Sequence, residues 1–294
     1  MEESTWLAAQ FDEHHSHLRA VAYRMLGSLN DADDALQNAW VRVSNTDTSV
    51  VENMGGWLTT VVARVCLNVL RTRRTRREEP LEVYMPDPIV SHESGVDPEQ
   101  EALLADAVGL ALLVVLEMLT PAERLAFVLH DMFAVRFEDI APIVDRTPAA
   151  TRQLASRARR RVQAAPVPDS DLTRQREAVD AFFAAARGGD FDALVAVLDP
   201  DVLLRNDAGV AGPNPSVILR GASGVAAQAL TFARLSPYVR PALINGAAGV
   251  VVAPDGVPVS VMAFTVTDGK IVAINALTDP ARLRQLDLSV LDER

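Results

Sequence analysis

FEDIAPIVDRTPAATRQLASRARRRV, residues 137–162, sets two helical segments on either side of a very short turn. Phe137 to Val144 predicts the first helix and Asp145 to Thr147 the turn. Thr147 as N-cap, with Pro148 at the first helical position, opens the second. That spacing is helix-turn-helix spacing. On the second helix Leu154, Ala158 and Val162 recur every four residues and are expected to pack inward. Thr151, Arg152, Gln153, Ser156, Arg157, Arg160 and Arg161 make up the expected DNA-binding set. Arginine reads guanine edges bidentately, glutamine reads adenine, and the remaining guanidinium groups pair with phosphates. The plainer alternative is an amphipathic helix with solvated arginines. Turn length, cap and charged face together favour the groove-binding reading.

Working outward, the charge map is more informative than the total. The 294-residue chain has a net charge of −11, yet its basic residues, almost all arginine with Lys270 the only lysine, gather at Arg71 to Arg77 and Arg152 to Arg161. Glu78 to Asp106 holds nine acidic residues and no lysine or arginine. Its MPDPIVSHESGVDPEQE stretch reads as a solvated linker, or as an acidic tether that docks on either basic patch when nucleic acid is absent.

The first basic cluster ends WLTTVVARVCLNVLRTRRTRREEP, residues 57–80. Leu58, Val61, Val62, Val65 and Val69 form the expected buried stripe, with Thr60, Arg64, Asn68 and Arg71 on a polar face. The end is either a solvated helix terminus or a helix lying along a nucleic-acid backbone, with residues 44–56 as a loop able to hold an unstacked base. Cys66, the only cysteine, lies among apolar neighbours and reads as core; it excludes a disulfide within this chain.

The organisation predicted is multidomain: two all-α units and a C-terminal α+β unit, with boundaries at 1–77, an acidic linker over 78–106, 107–165 and 172–294. In the first, helices are expected over LAAQFDEHHSHLRAVAYRML, over DADDALQNAWVRVS and from Trp57 onward. Residues 98–164 predict four more, one opened at Pro121 by a Thr120/Glu123 capping box. The last unit predicts two helices, LTRQREAVDAFFAAARGG and DFDALVAVL. Strands follow at DVLLRND, GVVVAP, PVSVMAFTVTDG and KIVAINALT.

DADDALQNAWVRV, GGWLTTVVARVCLNVLRTRR, LTPAERLAFVLHDMF and the helix-turn-helix, in that order, resemble regions 2 and 4 of bacterial extracytoplasmic-function sigma factors. The chain after region 4 looks like a SnoaL-like domain of the NTF2-like superfamily, a combination similar to the sigma J type. The resemblance implies a promoter-specificity subunit of RNA polymerase. Asp31, Asp33, Asp34, Gln37 and Trp40 would then face core polymerase. Asn53, Trp57, Arg64, Asn68, Arg71, Arg73 and Arg74 would handle the melted minus-ten element, and the helix from Pro148 would read the minus-thirty-five element. It further implies that the C-terminal domain modulates sigma activity in cis through motifs around YMPDPI, RNDAGVAG and LTDPARL, with Asp207, Gly209, Asp279 and Pro280 as its candidate residues.

No catalysis, cofactor or metal is expected. The C-terminal unit has no histidine and a single tyrosine, Tyr238, to partner a carboxylate base such as Asp207. His14, His15 and His17 lack further ligands in sequence, and GASGVAAQ follows no dinucleotide-binding pattern. The expected partners are core polymerase, promoter DNA, and an unidentified ligand or interdomain contact for the C-terminal domain. An acidic N-terminus without a signal-peptide layout, and no long apolar run, predict a cytoplasmic protein and no membrane. The alternative is a free-standing helix-turn-helix regulator carrying a ligand-binding or weakly enzymatic NTF2-like domain.

Overall fold

The structure is a computed structural model describing residues 2–48, 51–76, 83–92, 109–165, 168–209 and 215–291. It divides into two compact units, Met1–Glu78 with Val115–Ala164, and Glu79–Val114 with Ala165–Arg294.

The first unit begins with α1 (Glu2–Glu13), α2 (His15–Leu26), α3 (Leu29–Val43) and α4 (Met54–Arg76). The single helix expected over residues 7–26 is two, interrupted at His14. Gly27 closes α2 in a left-handed conformation (φ 71°), and the Ser28 hydroxyl caps α3 by accepting the Asp31 N–H. α4 starts at Met54 rather than Trp57 because the Asn53 carbonyl oxygen of the side chain caps it, accepting the Gly56 N–H at 3.0 Å. Leu58, Val62 and Val65 are buried as expected, joined by Ala63, Cys66, Leu67 and Leu70, whereas Val61 and Val69 are only half-buried.

After α5 (Leu110–Glu117), α6 (Pro121–Phe127) carries the full Thr120/Glu123 capping box and continues as a π-helical turn, Val128–Met132. Residues 98–108, the start of the 98–164 segment expected to give four helices, lie outside the described residues. The next helix, α7, is regular only over Phe137–Ile140; Ala141 to Val144 wind into a turn where Asp145 takes φ 55°, a conformation aspartate tolerates. α8 (Pro148–Gln163) then starts with Thr147 as its N-cap, as read from the sequence. Its inward face is Thr151, Ala155 and Ala158, with Leu154 and Val162 half-buried.

The second unit has α9 (Leu172–Gly188) and α10 (Phe191–Val197), then β2 (Leu198–Asp207), β3 (Val217–Arg220), α11 (Ala222–Thr231), β4 (Val239–Ile244), β5 (Ala247–Val252), β6 (Ser260–Thr267), β7 (Lys270–Leu277) and the short α12 (Pro280–Leu283). With β1 (Val90–Ser91) they form a seven-stranded sheet in the order β1-β4-β5-β6-β7-β2-β3, antiparallel except for β2 beside β7. Besides β1 and α12, three elements escaped the sequence reading. β3 is only four residues long, β4 contains Pro241, which argues against a strand, and α11 follows a glycine-flanked start. The helices pack on one sheet face around Val179, Phe182, Leu194, Val225, Phe264 and Ile274, with Phe182, Phe183 and Phe264 meeting edge to face.

One expectation is overturned here. Residues 83–92 are no solvated spacer: β1 pairs antiparallel with β4, Val90 opposite Ile244, and Met85, Ile89 and Val90 are buried. Apolar side chains that escape water on the sheet outweigh the acidity of the surrounding stretch. The rest of the acidic segment lies outside the described residues.

Candidate nucleic-acid interface

α3 presents two kinds of acid. Asp34 and Gln37 are exposed, with Val41 61% exposed one turn further along the same face. Asp33 instead binds Arg19 at 2.7 Å, and Asp31 pairs with Arg73. Trp40 is half-buried, its ring edge-on to Phe11. Of the five residues expected to face polymerase, Asp34 and Gln37 are the open ones; Asp31 and Asp33 serve the bundle first.

Along α4 the exposed residues are Arg64, Asn68, Arg71 and Arg74, with Trp57 half-buried. Arg73 departs from the expected set: besides Asp31 it donates to the Leu26 carbonyl at 3.1 Å, holding the end of α2. Asn53 departs too, since its side chain caps α4. α4 has no acidic residue, so the only charges on its outer side are positive. The buried Cys66 thiol is pushed up to about 12 by desolvation, against weaker opposing influence from Arg124 and Arg73, and stays neutral.

On α8, Arg152, Gln153, Arg157 and Arg160 are exposed and Ser156 is half-exposed. Arg152 lies 5.2 Å over the Phe137 ring, linking the two helices of the motif. One expected DNA contact, Thr151, does not reach that face, and Arg161, though exposed, is partly engaged within the unit. Thr151 is 0% exposed and donates its hydroxyl hydrogen to the Thr147 carbonyl. It belongs to the inner stripe, one turn before Ala155. Arg161 reaches back to Glu123 at 3.3 Å, and Arg159 likewise holds Asp131.

The two halves of the first unit meet through Arg124. Its Nε and Nη2 donate to the Arg24 carbonyl at 3.1 and 3.0 Å, and Nη1 to Glu117 at 2.5 Å; all three residues are buried. Arg24 covers the Phe133 ring at 5.0 Å, and Arg71 of α4 lies 4.0 Å from Asp145 in the helix-turn-helix turn.

In the second unit the four residues singled out in RNDAGVAG and LTDPARL converge. Asp207, 2% exposed, accepts N–H groups from Gly209 and from Met85. Asp279 caps α12, where Pro280 is the first residue, and its carboxylate lies where a Cβ on Gly209 (φ 66°) would stand. The residue that joins them to the linker is Arg282, which the sequence reading missed. Nη1 donates to Asp207 and Nε to Asp87, each at 2.7 Å, Nη2 also reaches the Met85 carbonyl, and the Tyr84 ring lies 4.7 Å away. Burial alone would lower the Arg282 pKa; Tyr84, Asp87 and Asp207 outweigh it and raise it. The sequence motif LTDPARL singles out Asp279 and Pro280, but it does not show that the arginine three residues on has carboxylate partners 75 and 195 residues away. Asp87 thus meets Arg282, not either arginine cluster. Tyr238, the single tyrosine of residues 172–294, stands 40% exposed.

The family descriptions "Sigma-70 region 2" and "Sigma-70, region 4" match residues 10–76 and 109–162. Over 288 residues, 92% of this chain and 91% of the relative, the chain is 37% identical to the ECF RNA polymerase sigma factor SigJ of Mycobacterium tuberculosis. The chain belongs to the extracytoplasmic-function group of RNA polymerase sigma factors. A probable sigma factor of the same group and species, SigI, is 36% identical over 69% of this chain and 70% of its own length. The crystal structure of M. tuberculosis SigJ superposes with a TM-score of 0.76 at 34% identity, covering 96% of this chain and 99% of that one. The chain from the end of α1 through α4 is therefore sigma region 2, α5 to α8 sigma region 4, and the alternative of a free-standing regulator falls. Sigma factors bind core RNA polymerase and promoter DNA, and the cationic outer sides of α4 and α8 fit that partner. Among the described residues no helix is long and apolar enough to cross a membrane.

Proposed function

We propose that this sigma factor docks on core polymerase through Asp34 and Gln37, holds the melted minus-ten element along Trp57, Arg64, Asn68, Arg71 and Arg74, and reads the minus-thirty-five element with Arg152, Gln153, Ser156, Arg157 and Arg160. It works where the chromosome is, in the cytoplasm. The C-terminal α+β domain regulates it in cis by gripping the linker between regions 2 and 4.

The observation that carries the regulatory reading is the Arg282 clamp on Tyr84, Met85 and Asp87 together with the β1–β4 pairing. The two promoter elements lie roughly 25 base pairs apart, or ~85 Å of B-form DNA at 3.4 Å per pair. Regions 2 and 4, touching through Arg124 and the Arg24 carbonyl, cannot reach both. Transcription requires them to separate, and the linker that must extend is the one the C-terminal domain holds. Because the hold is intramolecular, modest affinity suffices to bias the closed form.

Run-off transcription with core polymerase tests this. Arg282→Ala in the full chain is expected to raise transcription at equal concentration by releasing the linker. Transcription equal to the parent's, with the linker shown to be released by faster proteolysis between residues 78 and 92, would sink the regulatory reading.

A further inference from the structure

Phe137, the first residue of α7, receives a ring from the turn before it and a guanidinium from the helix after it. The His130 ring stacks on it with 3.8 Å between centroids and 30° between planes. The Arg152 guanidinium, in the second turn of α8, lies 5.2 Å from the same centroid. His130 is itself pinned. Its Nδ1 lies 2.9 Å from the Val135 carbonyl and, because a carbonyl only accepts, Nδ1 carries the hydrogen. The backbone bends to put the ring there: Val128–Met132 is a π-helical turn, and Ala134 takes φ 54°, a conformation that alanine adopts only where its surroundings impose it.

The stack sets Arg152 apart from the other arginines of α8. Arg159 and Arg161 commit N–H groups to Asp131 and Glu123. Arg157 and Arg160 are exposed, and among the described residues neither has a hydrogen bond, ion pair or ring contact. Arg152 is held by its flat face instead. A guanidinium carries its donors around its edge, so a ring against the face steadies the plane without using any N–H group. Among the described residues Arg152 makes no hydrogen bond. A fork already oriented loses less freedom on pairing with O6 and N7 of guanine than one that swings in solvent. Phe137 is 8% exposed and reads from the sequence as core, a place that leucine would fill as well; only an aromatic residue offers the guanidinium a face.

We propose that Phe137, steadied by His130, is a positioning residue for promoter reading. It presents the Arg152 fork to one guanine of the minus-thirty-five element and so sets the base preference at that position, acting through Arg152 and not on DNA itself. This deepens the assignment of α8 to the minus-thirty-five element and rests on it.

The test is run-off transcription by full-length protein assembled with core polymerase, at several salt concentrations, on templates in which each minus-thirty-five position carries each base in turn. Arg152→Lys keeps the charge but not the fork, and is expected to lose about tenfold in preference at one position while keeping the salt dependence. Phe137→Leu should lose about two- to fivefold at the same position, the factor that a cation–π contact at an exposed site accounts for. Phe137→Tyr keeps the ring face and should retain the parent's preference. In an Arg152→Ala background, Phe137→Leu should alter the preference no further. Should Phe137→Leu melt below the assay temperature, His130→Ala, at a half-exposed position, carries the same comparison. Three results overturn the proposal. If Arg152→Lys keeps the preference and Arg152→Ala weakens all templates alike, with the salt slope reduced by about 1, the guanidinium sits on phosphate although α8 still reads the element. If the Phe137 or His130 variant weakens every template equally, or shifts the preference as much without Arg152 as with it, the stack is packing alone. If Arg152→Ala, Arg157→Ala and Arg160→Ala all transcribe a minus-thirty-five-dependent promoter as the parent does, the assignment of α8 falls with it.

Discussion

The Asp207 carboxylate accepts the backbone N–H of Met85 at 2.9 Å, although 122 residues separate them in the chain. Its other oxygen accepts the Gly209 N–H, and Arg282 neutralises it. One buried carboxylate thus ties the linker between two sigma regions to a domain that follows both.

Arg282→Ala leaves Asp207 buried without its counter-charge, and removal of one partner from a buried pair costs about 3–5 kcal/mol. Urea unfolding of the full chain should show a loss at the lower end of that range, about 3 kcal/mol, for the transition reporting the C-terminal domain, since Arg282 and Asp87 keep 16% exposure and water offsets part of the cost. A loss below about 1 kcal/mol would mean that the clamp is replaced by solvent.

Gly209→Ala meets two obstacles. Its φ of 66° disfavours a side chain, and the new Cβ would stand 2.2 Å from an Asp279 oxygen, so the α12 cap must move. Destabilisation of about 1–3 kcal/mol is expected, with Asp279→Ala in the same chain relieving the clash. Thermal unfolding of the single and double variants checks the coupling.

Asp34→Ala with Gln37→Ala should weaken core-polymerase binding without changing the melting temperature, because both are exposed. Asp33→Ala should behave differently: it removes the ion pair with Arg19 and loosens the bundle before it touches polymerase. Pull-down with core enzyme and thermal melts on the same samples separate the two.

Arg157→Ala removes an exposed guanidinium from the reading face and should cost about 1–3 kcal/mol at one promoter position if it reads a base. Thr151→Val, at a wholly buried position, should change stability and leave the base preference as it is. Promoter-variant transcription profiles compare them.

The Cys66 thiol, held near 12 in the folded protein, ionises near 8.5 in an unfolded chain. The folded state therefore binds the proton more tightly, so this group's contribution to stability is full below about pH 8.5 and is lost as pH rises towards 12. At pH 8 a disulfide reagent should label Cys66 only at the rate of opening, and denaturant should make labelling immediate. Rapid labelling of the native protein would contradict the burial.

Local signals in the chain were sufficient for much of this. Thr147-Pro148 and the Thr120/Glu123 box mark helix starts through contacts within three residues, so they need no tertiary context. The apolar stripe of α4 and the arginine clusters follow from periodicity and charge, and the ordered motifs carried the sigma resemblance. What lay beyond reach is what depends on partners distant in sequence. Nothing in RARRRVQ says that Arg161 reaches Glu123, because a four-residue repeat cannot tell which flank of a helix meets a neighbour. Thr151 looks polar, yet α8 buries it against its own N-cap turn. The acidic linker reads as solvated until Met85, Ile89 and Val90 find a sheet face and Asp87 finds Arg282. Burial and ion pairing are properties of the assembled chain: desolvation and Coulomb energy depend on which surfaces come together, and only the tertiary structure decides that.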